Sequence, residues 1–342
     1  MIKHPENILI IRLSSIGDVL LATPLIRALK DAYPEANLDF VVKLKHVDIL
    51  RLNPKVRKLY ALDTTRGFIA LKELRAELYE RSYDWVVDIH NNFRSVYLRK
   101  IGASHIFKVK KYKWKRFLLV KFGINRYSRV VPVYQRYINS VDDSDVTYDD
   151  KGLDFYYDEA VYQHIHDTLI AAGLDTEKPT VCLAPGASFL VKRWPVEKYA
   201  ELARMLVNHH HMQLLLVGDD KDALLTQTIN EAVGAKGIDV AGRLDLMQTA
   251  CGMDHADIVV TNDTGLMHLA TALKKPTVAL FGPTVKELGF FPVGEKSIVV
   301  ENHDVPCRPC THMGRHTCPK KHFRCMREIK VNTVLKAIQA LR

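Results

Sequence analysis

Short apolar runs and amphipathic stretches alternate along most of this chain, separated by polar turns. Residues 8–12 read as a first strand, followed by the turn Ser14, Ser15, Ile16, Gly17, Asp18. Residues 19–30 then read as a helix, with Leu20, Leu21, Leu25, Ile26 and Leu29 available for packing and Pro24 predicting a bend or a late start. Further strands are predicted at 38–42, 56–60 and 85–89, with helical segments between them. This β–α rhythm holds to about residue 107 and predicts a mostly parallel sheet covered on both faces. A basic stretch interrupts it, residues 141–152 read as an acidic surface loop, and 158–172 as a helix.

The rhythm restarts with strands at 180–183, 213–217, 239–241, 258–260, 277–280 and 297–300. Helices are predicted between them, including 196–208, 222–233 and 245–256. Two such halves predict an α/β protein of two doubly wound domains facing a cleft, residues 1–165 and 175–325. The last segment, 326–342, reads as an amphipathic helix that can return to pack on the first domain.

Candidate chemistry falls where parallel sheets collect ligands, at strand ends where the next helix begins. In DIVVTNDTGLMHLATALKKPTVALFGPT, Asp263, Thr264 and Gly265 stand at a helix entrance with His268 one turn further in. Free N–H groups there suit a diphosphate, although Asp263 or Thr264 reads equally as a helix cap and His268 as a core histidine. Lys192 and Arg193 follow the Pro185, Gly186, Ala187, Ser188 turn, placed to meet the same anion, with Ser188 able to donate to a phosphate oxygen and Trp194 as a packed anchor. In GDDKD, Asp219 or Asp222 could hold a ribose, or cap the helix that follows. Asp18 is placed either to take a proton from an attacking hydroxyl or to cap its own helix. The first turn is neither GxGxxG nor a Walker sequence, so a dinucleotide or ATP-hydrolysing site is not expected.

The 342 residues carry a formal charge of +10, which favours an anionic partner. Nine basic residues and no acidic ones lie between Lys108 and Arg129, among them Lys111, Lys113, Lys115 and Arg116, interleaved with Trp114, Phe117 and Phe122. Nucleic acid would need a groove of stacked aromatics, and the aromatics elsewhere mostly occupy core positions, so none is expected. No apolar run reaches the roughly 18 residues of a membrane span. The opening MIKHPENILIIRL lacks signal-peptide order, and with six cysteines and no disulfide framework a cytoplasmic protein is expected. Cys307, Cys310, Cys318 and Cys325 form C-x2-C-x7-C-x6-C, which opens like a zinc knuckle but continues like no common finger; a structural metal and free thiols in a packed loop both fit.

The motifs ILIIRLSSIGDVLLATPLIRALKDAYP, KRWPVEKYAELA and TNDTGLMHLATALKKPTVALFGPT resemble those of glycosyltransferase family 9, the heptosyltransferases of lipopolysaccharide core synthesis. The loop CRPCTHMGRHTCPKKHFRCMREI is similar to that of the second heptosyltransferase type. The resemblance covers nearly the whole chain. It implies a GT-B fold of two Rossmann-like domains and inverting, metal-independent transfer from ADP-L-glycero-D-manno-heptose to an inner-core heptose or Kdo. It puts the base on Asp18, the lysine meeting the diphosphate on Lys192, a phosphate-binding hydroxyl on Ser188, the ribose carboxylate near Asp222, and the phosphate lining on Asp263, Thr264, Gly265 and His268. A monomer held peripherally on the anionic cytoplasmic face of the inner membrane, partly by the basic stretch, is implied as well. Another nucleotide sugar or another glycan acceptor on the same fold is the alternative.

Overall fold

In the computed structural model, residues 4–141, 143 and 145–342 are described. The chain forms two compact units, one of Met1–Lys111 with Val131–Tyr156 and one of Tyr112–Val130 with Tyr157–Arg342.

The first unit is a five-stranded parallel sheet of β1 (Asn7–Ile11), β2 (Asn37–Lys43), β3 (Lys58–Leu62), β4 (Trp85–Asp88) and β5 (His105–Lys108), in the order β3-β2-β1-β4-β5. The central strands β1, β2 and β4 are buried along almost their whole length, as expected of a parallel sheet with covered faces. Leu9, Ile11, Leu13, Val41, Leu71, Leu74, Leu78 and Val86 form much of one core layer. Asp39, fully buried in β2, is tolerated because Arg57 lies 2.6 Å away and Tyr83 Oη donates to it at 2.6 Å. The single helix expected at 19–30 is divided into Ile16–Leu20 and Thr23–Ala32, with Pro24 in the first turn of the second, where its missing N–H costs nothing. β5, too short and exposed to show a pattern, had no counterpart in the sequence reading. The segment expected as an acidic loop is tied down by Arg27, which donates to Asp149 and to the Gly152 carbonyl at 2.8 Å and pairs with Asp154. Asp142 and Ser144 of that loop lie outside the described residues.

The second unit is a six-stranded parallel sheet of β6 (Thr180–Ala184), β7 (Gln213–Leu216), β8 (Ile238–Asp239), β9 (Ile258–Asn262), β10 (Thr277–Phe281) and β11 (Ser297–Glu301), in the order β11-β10-β9-β6-β7-β8. The C-terminal helix Val331–Leu341 buries Val334, Leu335 and Ile338 in this unit's core, with Leu202, Leu206, Val278 and Val300. The apolar stripe read from the sequence is therefore used within the second unit. The basic segment Tyr112–Val130 also clusters with the second unit, where Asn125 Nδ2 donates to Glu287 Oε1 at 3.1 Å.

Strand order reverses between β1 and β4 in the first unit and between β6 and β9 in the second. In sheets of this kind ligands bind at such switch points, outside the C-terminal strand ends.

Candidate active site

At the first switch point the chain leaves β1 through Arg12 and turns into Ile16–Leu20. Ser15 donates to Asp18 Oδ2 from its N–H at 3.2 Å and its hydroxyl at 2.9 Å, so Asp18 does brace its own helix start. Its second oxygen faces Arg12 Nη2 at 2.6 Å and accepts from Tyr137 Oη at 3.3 Å. Arg12 is itself fixed by donating to the carbonyls of Ser14 and Ile89, each at 2.8 Å. Burial pulls the Asp18 carboxyl upward, but the Arg12 charge and the Ser15 hydrogen bonds outweigh it and leave the group below the usual carboxylate range. Asp18 is therefore held as a carboxylate, with both oxygens fixed by these partners.

Around it the field is positive. Lys43 ends β2, Lys45 and His46 follow in the 3-10 turn Leu44–Ile49, His90 follows β4, and Arg94 is the second residue of the helix Phe93–Leu98. His46 is pushed down to about 4 by burial and then by Lys45 and Lys43. His90 falls to about 3 through burial, Arg12 and Lys111. Both imidazoles stay neutral, with buried Nδ1 atoms that have no hydrogen-bond partner. Asp88, at the end of β4, is neutralised by Arg99 at 2.9 Å and by hydrogen bonds from Ser95, His90 N and Asn91 N.

At the second switch point β9 ends in Asn262 and the helix Gly265–Ala272 begins. Thr264 is its N-cap residue, yet its side chain makes no cap hydrogen bond, an arrangement in which the first-turn N–H groups of Gly265 and its neighbours suit an anionic ligand. Thr264 Oγ1 lies 3.5 Å from Thr261 Oγ1, and His268 is buried one turn in. Asp263 does not cap either. Its Oδ2 receives Lys192 Nζ at 2.7 Å and the Thr284 hydroxyl at 2.7 Å. The lysine thus stands at the open helix start, held by the residue before the cap. Asn262 braces the facing loop, accepting from Trp194 N at 3.1 Å and donating to the Pro185 carbonyl at 2.8 Å. Trp194 is the packed anchor, donating through Nε1 to the Ile329 carbonyl at 3.2 Å. Ser188 sits exposed in that loop.

Asp222 precedes Ala223–Glu231 but does not cap it. Its carboxylate turns back between two strand ends, accepting weakly from Asp219 N at 3.3 Å and facing Arg193 Nη2 at 3.3 Å. A Cβ on Gly186 would lie 1.9 Å from Asp222 Oδ2, and one on Gly218 would lie 2.7 Å from Asp222 Cβ, so both glycines make room for it. Burial and then Asp219 raise the Asp222 carboxyl against the opposing charge of Arg193. A buried carboxylate with so few donors suits two neighbouring hydroxyl groups.

The cysteine-bearing loop braces both ligand loops. Val191 N–H donates to the Arg315 carbonyl at 3.3 Å, and Phe189 packs against Gly314 and against His316 at 5.5 Å between ring centroids. Arg308 donates to the Thr284 carbonyl at 2.9 Å, and Met326 fills the space beside Gly282. Cys307, Cys310, Cys318 and Cys325 are free thiols; Cys325 is pushed up to about 12 by burial and by Cys310. Cys307 Sγ lies 3.7 Å from His322 Nε2, and among the described residues no three His, Cys, Asp or Glu side chains gather as a metal-holding group. In the basic stretch, Lys113 is exposed, Arg116 lies near His312, Lys111 lies near His90, and Lys115 Nζ is 5.6 Å and 5.9 Å from the Tyr112 and Tyr127 rings.

Sequence reasoning missed Arg12, Tyr137, Asn262 and Thr284. Arg12, Asn262 and Thr284 lie inside the quoted motifs, so their position was a usable signal; Tyr137 comes from a segment with none.

The family model for glycosyltransferase family 9 (heptosyltransferase) matches residues 71–321. A lipooligosaccharide heptosyltransferase 2 of Haemophilus influenzae is 30% identical over 81% of this chain and 84% of its own. The solved E. coli ADP-heptose LPS heptosyltransferase II is 25% identical, with a TM-score of 0.73 and 98% of both chains covered. A family 9 glycosyltransferase from Veillonella parvula superposes with a TM-score of 0.80 at 23% identity, over 98% of this chain and 97% of its own. GT-B heptosyltransferases thus share the two-sheet architecture. The chain belongs to glycosyltransferase family 9, the heptosyltransferases.

Proposed function

We propose that this glycosyltransferase moves heptose from ADP-L-glycero-D-manno-heptose to an inner-core heptose or Kdo of lipopolysaccharide, with inversion. The observation that carries the reading is the pair of prepared strand ends: an ionised, fixed carboxylate at Asp18 in one unit, and an uncapped helix start with Lys192 in the other. The adenosine ribose is assigned to Asp222 and the diphosphate to Lys192, Thr264, Gly265 and the first helical turn, with Ser188 and His268 beside it. Asp18 accepts the proton of the acceptor hydroxyl as its oxygen bonds to the anomeric carbon. The bond from that carbon to the diphosphate breaks on the opposite face, its electron pair leaving with ADP. Negative charge grows on the leaving diphosphate, so Lys192 and the helix N–H groups bind the transition state more strongly than the ground state.

Lys43, Lys45 and Arg94 near Asp18 suit an acceptor that carries phosphate or carboxylate groups, as inner-core sugars do. Among the described residues no helix is long and apolar enough to cross a membrane. We assign the enzyme to the cytoplasmic face of the inner membrane, where its lipid-anchored acceptor resides.

The test is acceptor-dependent ADP release by the purified protein, with ADP-heptose and a heptose-deficient core acceptor. Release together with a core enlarged by one heptose is expected. Turnover confined to another nucleotide sugar, or to another acceptor class, would overturn the assignment.

A further inference from the structure

The helix Lys113–Phe122 turns only Leu119 fully inward. Trp114, Phe117 and Phe122 are 69%, 47% and 60% exposed, and Ile124 just beyond them is open as well. The three rings associate with one another in solvent: Trp114 and Phe117 stack at 5.6 Å, and Phe117 meets Phe122 edge-on at 5.7 Å. At roughly 100° per residue, Lys113, Phe117, Lys121 and Trp114 share one arc, Phe122 ends it, and Leu119 lies on the far side. The segment is a held platform: Lys115 sits by the Tyr112 and Tyr127 rings, and Asn125 bonds Glu287. Along the sequence, nine cations and no acidic residue lie between Lys108 and Arg129. An acidic protein surface would satisfy the charges but not three open aromatic rings. A layer with anionic heads above an apolar interior satisfies both.

We propose that this helix docks the enzyme on an anionic bilayer, with Trp114, Phe117 and Phe122 entering the acyl boundary and Lys113, Lys121, Arg126 and Arg129 meeting lipid phosphates. Its purpose, presenting the site to a lipid-anchored acceptor, rests on the proposed function; the docking itself does not.

The test uses the full chain with vesicles of phosphatidylglycerol and phosphatidylethanolamine, and with phosphatidylcholine alone. Trp85 and Trp194 are 1% and 2% exposed, so quenching by brominated lipid reports Trp114. Expected are binding to anionic vesicles that weakens with salt, bromolipid quenching, and an affinity about tenfold lower in a Trp114→Ser, Phe117→Ser variant that still binds ADP normally. Replacing Lys113 or Lys121 by Gln should lower it about fivefold each. No vesicle binding, binding without quenching, or an unchanged affinity in the aromatic variant would overturn the proposal. No sugar substrate enters this experiment, so a failed heptosyl transfer leaves its result standing.

Discussion

Lys192 Nζ lies 2.7 Å from Asp263 Oδ2, and that carboxylate also accepts from Thr284 Oγ1 at 2.7 Å. The contact ties the end of β9 to the loop after β6 across the second switch point. It places a cation at an uncapped helix start before any ligand arrives, so little reorganisation remains for the reaction itself.

Two effects of one substitution should therefore separate. Lys192→Met is expected to lower kcat by roughly 10²–10³. It should also destabilise the fold by about 3–5 kcal/mol, because Asp263 is left buried and charged. Adding Asp263→Asn should restore much of the stability and none of the turnover. Denaturant unfolding and ADP release, measured on both variants, check this; recovered turnover in the double variant would show that Lys192 acts only through Asp263.

Gly186→Ala tests the ribose assignment without touching a charge. The added Cβ would displace the Asp222 carboxylate, since 1.9 Å is far inside contact distance. ADP affinity, read by calorimetry, should fall by about 1.5–3 kcal/mol, the scale of the hydrogen bonds to a charged group that the ribose would lose. Unchanged affinity would remove Asp222 from the ribose site.

Arg12 is argued to act through Asp18, so its test is a pH profile. In the wild type the acid limb of kcat/KM should lie below the ordinary carboxylate range, because Arg12 and the Ser15 bonds outweigh burial. In Arg12→Gln burial dominates and the limb should move upward, with kcat reduced at neutral pH. A lower rate with the limb unmoved would make Arg12 merely structural.

His46 should make the fold acid-sensitive. The unfolded chain takes up this proton near pH 6.5, whereas the native state resists it until about 4. Between those values the unfolded state binds more protons, so stability falls as pH falls, by on the order of 3 kcal/mol in full. His46→Asn should flatten the dependence of Tm on pH in that window; an identical slope would place the effect elsewhere.

Much of this site was legible because its residues crowd into βα turns, where spacing alone places them. The turn SSIGD after residues 8–12 and the turn NDTG before an apolar helix both lie at strand ends in the structure. What remained hidden depends on long-range register. Arg12 is aimed by the carbonyl of Ile89, on a different strand end, and no local pattern announces that contact. The turn around Asp222 suggested a cap, and only the three-dimensional approach of Gly186 shows the carboxylate turned away from its helix. The stripe of Val334, Leu335 and Ile338 announces that the last helix packs, while nothing in it names the surface it meets. Likewise the cysteine spacing suggested a knuckle, but nothing local announces that its loop reaches Val191 through the Arg315 carbonyl and Thr284 through the Arg308 guanidinium.

Asp18→Asn is the most direct test of the central claim, because the amide keeps the shape of the carboxylate and loses its basicity. Acceptor-dependent ADP release from ADP-heptose should fall by about 10²–10⁴, the span of general base catalysis, while ADP affinity stays at the wild-type value. Turnover within a few-fold of wild type would contradict the account and leave Asp18 as no more than the brace of the helix it begins.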